Sequence, residues 1–237
     1  MRWIISLIFM IWPQLLAAGE VTLAVASNFI ETAEEIAGEF ESETGHEVIL
    51  VHGSSGQIFA QISNGAPFDI FLSADAERPA RAVEDGLAVE AKTYALGRLA
   101  LISRGPFDPE LAQDTFAGET VALADPTVAP YGLAATQAME KLELDTATFQ
   151  PVLVANVGQV ATVFATGNAN LAFVSEAQVK KISPPFALAL TGFFAPIMQD
   201  AALLNRGAEN QAAQQMWAFL FSEKARRIIA SHNYDLR

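Results

Sequence analysis

The sequence predicts an α/β protein of two lobes, each a mainly parallel sheet flanked by helices. Three observations carry this expectation. Apolar runs of strand length alternate with amphipathic helical patterns, these units fall into two successive series, and 237 residues, half of them apolar, suit two lobes better than one very wide sheet.

In the first series, VTLAVA (21–26) reads as a strand, and Ser27-Asn28 supplies cap residues before a helix. Phe29, Ala33, Ile36 and Phe40 form the apolar face of that helix. Glu31, Glu34, Glu35 and Glu39 form its wet face, and Thr44-Gly45 ends it. EVILV (47–51), the turn around Ser54-Ser55 and a helix through Ile62 repeat the unit, as do DIFLSA (69–74) and a helix ending at Asp85-Gly86. The second series runs through RLALIS (98–103), TVALAD (120–125), a helix over about 132–142, PVLVA (151–155), a helix over 160–166 and NLAFVS (170–175). The segment 207–231 reads as helical. Strand–helix alternation implies right-handed crossovers, and open α/β sheets bind ligands beyond the carboxyl ends of their strands. Ser27-Asn28, Ser54-Ser55 and Val157-Gly158 all fall at such ends.

Residues 1–19 read as a signal peptide. Arg2 is a minimal positive region, Trp3 to Trp12 an unbroken apolar run, and Ala17, Ala18 and Gly19 a small-residue cleavage site. Pro13 and Gln14 interrupt the run before the ~20 residues a bilayer span requires, which disfavours the alternative of a retained anchor. With no cysteine anywhere, neither disulfides nor a lipid-anchored cysteine is expected. The chain reads as exported and soluble, most simply in a periplasm.

A formal net charge of −13 argues against nucleic acid as partner but not against a small anion, which a few local donors can hold. Gly53-Ser54-Ser55-Gly56 lacks the glycine spacing of a hydrolase elbow; a Ser55–His52 pair stays open as the enzymatic alternative. There is no His pair at metal spacing, no calcium-type loop and no Walker sequence. Asp69 and Asp75 read as turn and cap residues. What remains is an anion site. A serine that follows a strand and opens a helix can offer O–H and N–H donors beside the unpaired first-turn amides, although a single such serine is more often an ordinary cap.

VTLAVASN followed by HGSSGQIFAQISNGAPFDIFLSAD resembles the periplasmic molybdate-binding proteins of ABC importers, the ModA family. The likeness continues through YALGRLALIS and ALADPTVAPYGLAA to the final helices, and its specific portion is GAPFDIFLSAD. The resemblance implies a type II periplasmic binding protein, with two hinge strands near 98–101 and 190–198. Lobe I would be 20–99 plus 197–237, and lobe II 100–196. It implies Ser27, Asn28 and Ser55 as oxyanion ligands from the first lobe, and Val157, through its N–H, from the second. The family's tyrosine hydroxyl has two positions. The later one holds Ser175 here, so the resemblance points to Tyr131 of Pro130-Tyr131-Gly132, whose alternative role is packing between lobes. Ser54 would belong to the turn. It further implies a monomer that binds molybdate and tungstate without a cofactor or metal cation and delivers them to a permease with its ATPase. Another oxyanion or a small organic acid is the alternative ligand.

No Lys or Arg stands in the candidate turns, so neutral donors must replace the anion's water. Desolvating one charge costs on the order of 20 kcal/mol and each charge-assisted hydrogen bond contributes roughly 1.5–3, so about six or seven donors must act together.

Overall fold

The computed structural model describes residues 18–107 and 112–236. The expected signal segment lies outside the described residues apart from Ala18 and Gly19. The first sheet holds β1 (Glu20–Ala26), β2 (Glu47–Gly53), β3 (Ile70–Leu72), β4 (Ala88–Gly97) and β10 (Ile197–Leu204), in the order β2-β1-β3-β10-β4. The second holds β5 (Leu99–Ser103), β6 (Thr120–Ala124), β7 (Gln150–Val154), β8 (Leu171–Ser175) and β9 (Phe186–Ala189), in the order β7-β6-β8-β5-β9.

The two sheets share one plan, and each is mixed. β1 pairs parallel with β2 and β3, whereas β10 runs antiparallel between β3 and β4. In the second sheet β6 pairs parallel with β7 and β8, whereas β5 runs antiparallel between β8 and β9. The expected parallel direction therefore holds for all strands but one per sheet. The reversed strand has a simple origin: β5 and β10 are the strands that enter each sheet directly after the chain crosses from the other. Only Arg98 separates β4 from β5, and residues 190–196 separate β9 from β10.

Alternation along β1 explains why it is buried from Val21 to Ala26. Val21, Leu23 and Val25 pack with α1 (Ile30–Thr44), while Ala24 faces the opposite cluster around α2 (Ser55–Ser63) and α3 (Glu77–Glu84). α1 buries Ala33, Ile36, Ala37 and Phe40 and ends at Gly45 in the left-handed conformation, as its sequence suggests. Around the second sheet lie α4 (Ala112–Phe116), α5 (Pro130–Lys141), α6 (Val157–Ala165) and α7 (Glu176–Ile182). The C-terminal segment is three helices rather than one: α8 (Asn205–Glu209), α9 (Gln211–Leu220) and α10 (Glu223–Ser231). Asn210 and Ser222 cap α9 and α10 and so break the pattern, and both helices return to the first sheet's core through Met216 and Ile229.

Candidate functional site

The three predicted turns meet. A small cavity between the two sheets is lined by Ala26, Ser27, Asn28, Gly53, Ser54, Ser55, Ala74, Ala129, Pro130, Tyr131, Asn156 and Val157. All five residues expected as ligands are among them. Tyr131 is the only residue of the lining with an ionisable side chain.

After β1, the Ser27 N–H donates to Gly53 O (2.9 Å) and the Phe29 N–H to Ala26 O (2.8 Å). This tight turn leaves the Asn28 N–H at its tip with no protein acceptor among the described residues. Phe29, fully buried against the edges of Tyr94 and Tyr234, holds the turn in place. Ser27 and Asn28 do not cap α1, contrary to expectation; the helix starts at Ile30 without a side-chain cap. Nor does Ser27 offer both its donors, because its N–H completes the strand ladder.

The two adjacent serines divide their tasks. Ser54 is the N-cap of α2: its Oγ accepts the Gln57 N–H (3.2 Å), and Gln57 Oε1 accepts the Ser54 N–H in return (3.4 Å). Ser55 is the first helical residue, where an amide has no intrahelical acceptor. Its Oγ accepts the Ala74 N–H at 2.9 Å. The glycines around them, Gly53 and Gly56, do not have positive φ. Gly56 instead permits contact between the sheets: its N–H donates to Val128 O (2.9 Å), and a Cβ there would meet the same backbone.

From the second sheet, Asn156 caps α6 by accepting the Gln159 N–H (3.0 Å), which places the Val157 N–H unpartnered at the helix start. The next amide, Gly158 N–H, crosses to Ser27 Oγ at 3.2 Å. Tyr131, in the first turn of α5 behind Pro130, lines the same space. Tyr131 Oη accepts from Ser175 Oγ (3.1 Å) and from Gln199 Nε2 (3.3 Å). Burial pushes its phenol well above the ordinary tyrosine range, so it is a neutral donor at physiological pH.

A common logic runs through these contacts. Ser27 Oγ, Ser55 Oγ and Tyr131 Oη each spend acceptor capacity on a protein donor, and their own protons are left without a protein partner. Three hydroxyls and the amides of Asn28, Ser55 and Val157 thus belong to residues that line one small volume beside helix starts. Such a shell suits a fully deprotonated anion, because it offers protons and partial positive charge.

Sequence reasoning did not find the support beneath this shell. All three tyrosines of the chain, Tyr94, Tyr131 and Tyr234, converge there with Asn28 and Gln199. The Asn28 side chain is committed to this network, donating to Gln199 Oε1 (3.0 Å) and Tyr234 Oη (3.1 Å), and only its backbone faces the cavity. Ser175, at the position where the other branch of the resembling family carries its tyrosine, steadies Tyr131 instead. The polar pair Gln199-Asp200 in the apolar run of β10 was the available signal.

The enzymatic alternative has no machinery. His52 is exposed on β2 and makes no hydrogen bond to Ser55, whose oxygen is held by Ala74. Asp75 caps the turn before α3 through the Arg78 N–H (2.9 Å). Asp69 is fully buried and accepts the Thr22 N–H (2.8 Å), so it pins β1 rather than capping a helix. Among the described residues no cluster of His, Cys, Asp and Glu could hold a metal ion.

Known proteins resemble this chain along most of its length. Residues 21–235 match the family described as bacterial extracellular solute-binding protein. The molybdate-binding protein ModA of Rhodobacter capsulatus is 45% identical over 92% of this chain and 89% of its own length. ModA of Azotobacter vinelandii is 38% identical over 93% of this chain and 91% of its own. The solved periplasmic molybdate-binding protein of Azotobacter vinelandii superposes with a TM-score of 0.85 at 34% identity, covering 92% of this chain and 99% of that one. These relatives bind a solute and are not enzymes. The chain therefore belongs to the bacterial extracellular solute-binding protein family, in its ModA group, and has the type II periplasmic binding protein fold.

Proposed function

We propose that the protein captures molybdate, and with it tungstate, outside the cytoplasmic membrane and hands it to the permease of an ABC importer whose ATPase lies on the far side. The ligand set is the hydroxyls of Ser27, Ser55 and Tyr131 with the amides of Asn28, Ser55 and Val157. The observation that carries this reading is that every one of these donors lacks a protein acceptor among the described residues, while each hydroxyl oxygen already accepts a hydrogen bond from the protein. The relatives' names point to the same ligand.

In this reading residues 1–19 are the signal peptide, and the mature chain works as a monomer without a cofactor. Residues 20–99 with 197–237 form lobe I and residues 100–196 form lobe II. The anion draws the lobes together because its donors come from both, and the closed form is what the permease recognises. The Gly56–Val128 and Gly158–Ser27 hydrogen bonds are the protein's own share of that closure.

Selectivity follows from the shell. Phosphate near neutral pH keeps a proton that needs an acceptor, and these donors provide none. Sulfate is deprotonated but smaller, so it cannot reach all donors at once. Tungstate matches molybdate in size and charge. A thermal-shift panel tests this: ligand at 100 times Kd stabilises by about 2.7 kcal/mol, a rise of several degrees at this chain length. Molybdate and tungstate should raise Tm alike and phosphate should not; a phosphate shift as large as that of molybdate defeats the reading.

A further inference from the structure

We infer that Gln199 is a positioning residue for anion binding, which fixes the Tyr131 hydroxyl as an obligate donor toward the cavity. The inference rests on the proposed role of Tyr131 and deepens it. Gln199 is fully buried in β10, the reversed strand that returns the chain to the first sheet, whereas Tyr131 belongs to α5 on the second. Its amide is oriented from one side only. Oε1 accepts from Asn28 Nδ2 (3.0 Å) and lies 3.0 Å from Tyr94 Oη, so Nε2 is turned toward Tyr131 Oη at 3.3 Å.

A phenol oxygen accepts two hydrogen bonds and donates one. Ser175 Oγ and Gln199 Nε2 fill both acceptor places of Tyr131, so its proton has only the cavity to serve. Because Oε1 also holds Asn28, one amide aligns a donor from each side of the cavity: the Tyr131 hydroxyl and the turn that presents the Asn28 N–H. Gly97 leaves the room this needs, since a Cβ at that position would run into Tyr131 Oη and Gln199 Nε2 together.

The test is a double-mutant cycle on the full mature chain, with molybdate affinity read by calorimetry and apo Tm by calorimetric scanning. Tyr131→Phe should weaken binding about 10- to 100-fold, the value of one hydrogen bond to a charged group. Gln199→Met, similar in volume but unable to donate, should weaken it at least tenfold in the wild-type background and less than about threefold beside Tyr131→Phe. A Gln199→Met protein within twofold of wild type overturns the inference, as does an equal loss in both backgrounds. Wild type that fails to bind molybdate at all would instead defeat the functional reading.

Should Gln199→Met not fold, the near-isosteric Gln199→Glu decides. As a carboxylate it accepts the Tyr131 proton and turns the hydroxyl from the anion; protonated, it donates as the amide did. The groups around it are Tyr94 on β4, Tyr131 on α5 and Tyr234 near the C-terminus. Farther off stand the carboxylates of Asp75, Asp200 and Glu176. Burial and these carboxylates disfavour a further negative charge and raise that carboxyl's pKa, against the smaller opposing effect of the neutral hydroxyls that donate to it. Affinity of Gln199→Glu should therefore rise at least tenfold from pH 8 to pH 5.5 while wild type changes less than threefold. Parallel profiles for the two proteins contradict the inference.

Discussion

At the scale of single residues, the decisive chemistry is which lone pairs and protons are already spent. Val157 contributes nothing to the site but an amide, so its side chain is irrelevant to the proposed role and its N–H is everything. Proline is tolerated at the first position of a helix, and Asn156 before it is extended, which suits a residue preceding proline. Val157→Pro should therefore fold with an apo Tm within a few degrees of wild type, yet bind molybdate at least ~10-fold more weakly. Unchanged affinity in that variant removes Val157 from the ligand set. The turns Ser27-Asn28, Ser54-Ser55 and Val157-Gly158 were legible in sequence because each follows an apolar strand and precedes a helical pattern, whereas the choice of single residues within them came from the family resemblance. The way Asn28 contributes was not legible. Its side chain meets partners 171 and 206 residues away, and no local pattern encodes such pairings.

At the scale of elements, the neighbouring serines of α2 separate stability from binding. Ser54→Ala removes a capping box and should cost about 1 kcal/mol, lowering Tm by roughly 2–4 °C at this chain length, with little change in affinity. Ser55→Ala removes the donor and the acceptor for Ala74, so its larger effect should be on affinity. If Ser54→Ala proves the more damaging to binding, the assignment is reversed. Most strands and the helices that follow them are readable from apolar runs and turns. β4 and β10 were not read as strands, and the reason is physical. β4 is exposed or half-buried from Val89 to Thr93 and mostly buried only from Tyr94 on, without a clean alternation, and β10 places Gln199 and Asp200 inside an apolar run. Both earn their place by pairing with each other over eight positions, a long-range contact that local composition does not announce.

At the scale of the whole molecule, the proposal has a strongly acidic protein hold an anion without a fixed positive charge in the lining of its cavity, through helix starts and hydroxyls that act locally. The same design predicts the pH response. Burial raises the phenols of Tyr94, Tyr131 and Tyr234 above their ordinary range. In the unfolded chain they ionise near ~10. Their contribution to stability is thus complete below that pH and is lost as pH rises toward the folded values. Tm should show no tyrosine-linked loss between pH 7 and 9 and should fall steeply above about 10, with a smaller fall in Tyr94→Phe. A Tm indifferent to pH up to 11 contradicts the buried, neutral cluster.

The central claim is a donor-only shell of a given size, and titration calorimetry of the mature protein with molybdate, tungstate, sulfate and phosphate at pH 7.5 measures it most directly. The account predicts molybdate and tungstate affinities within about tenfold of each other, and sulfate and phosphate at least ~100-fold weaker, a gap of about 2.7 kcal/mol. Phosphate or sulfate binding as tightly as molybdate would contradict it.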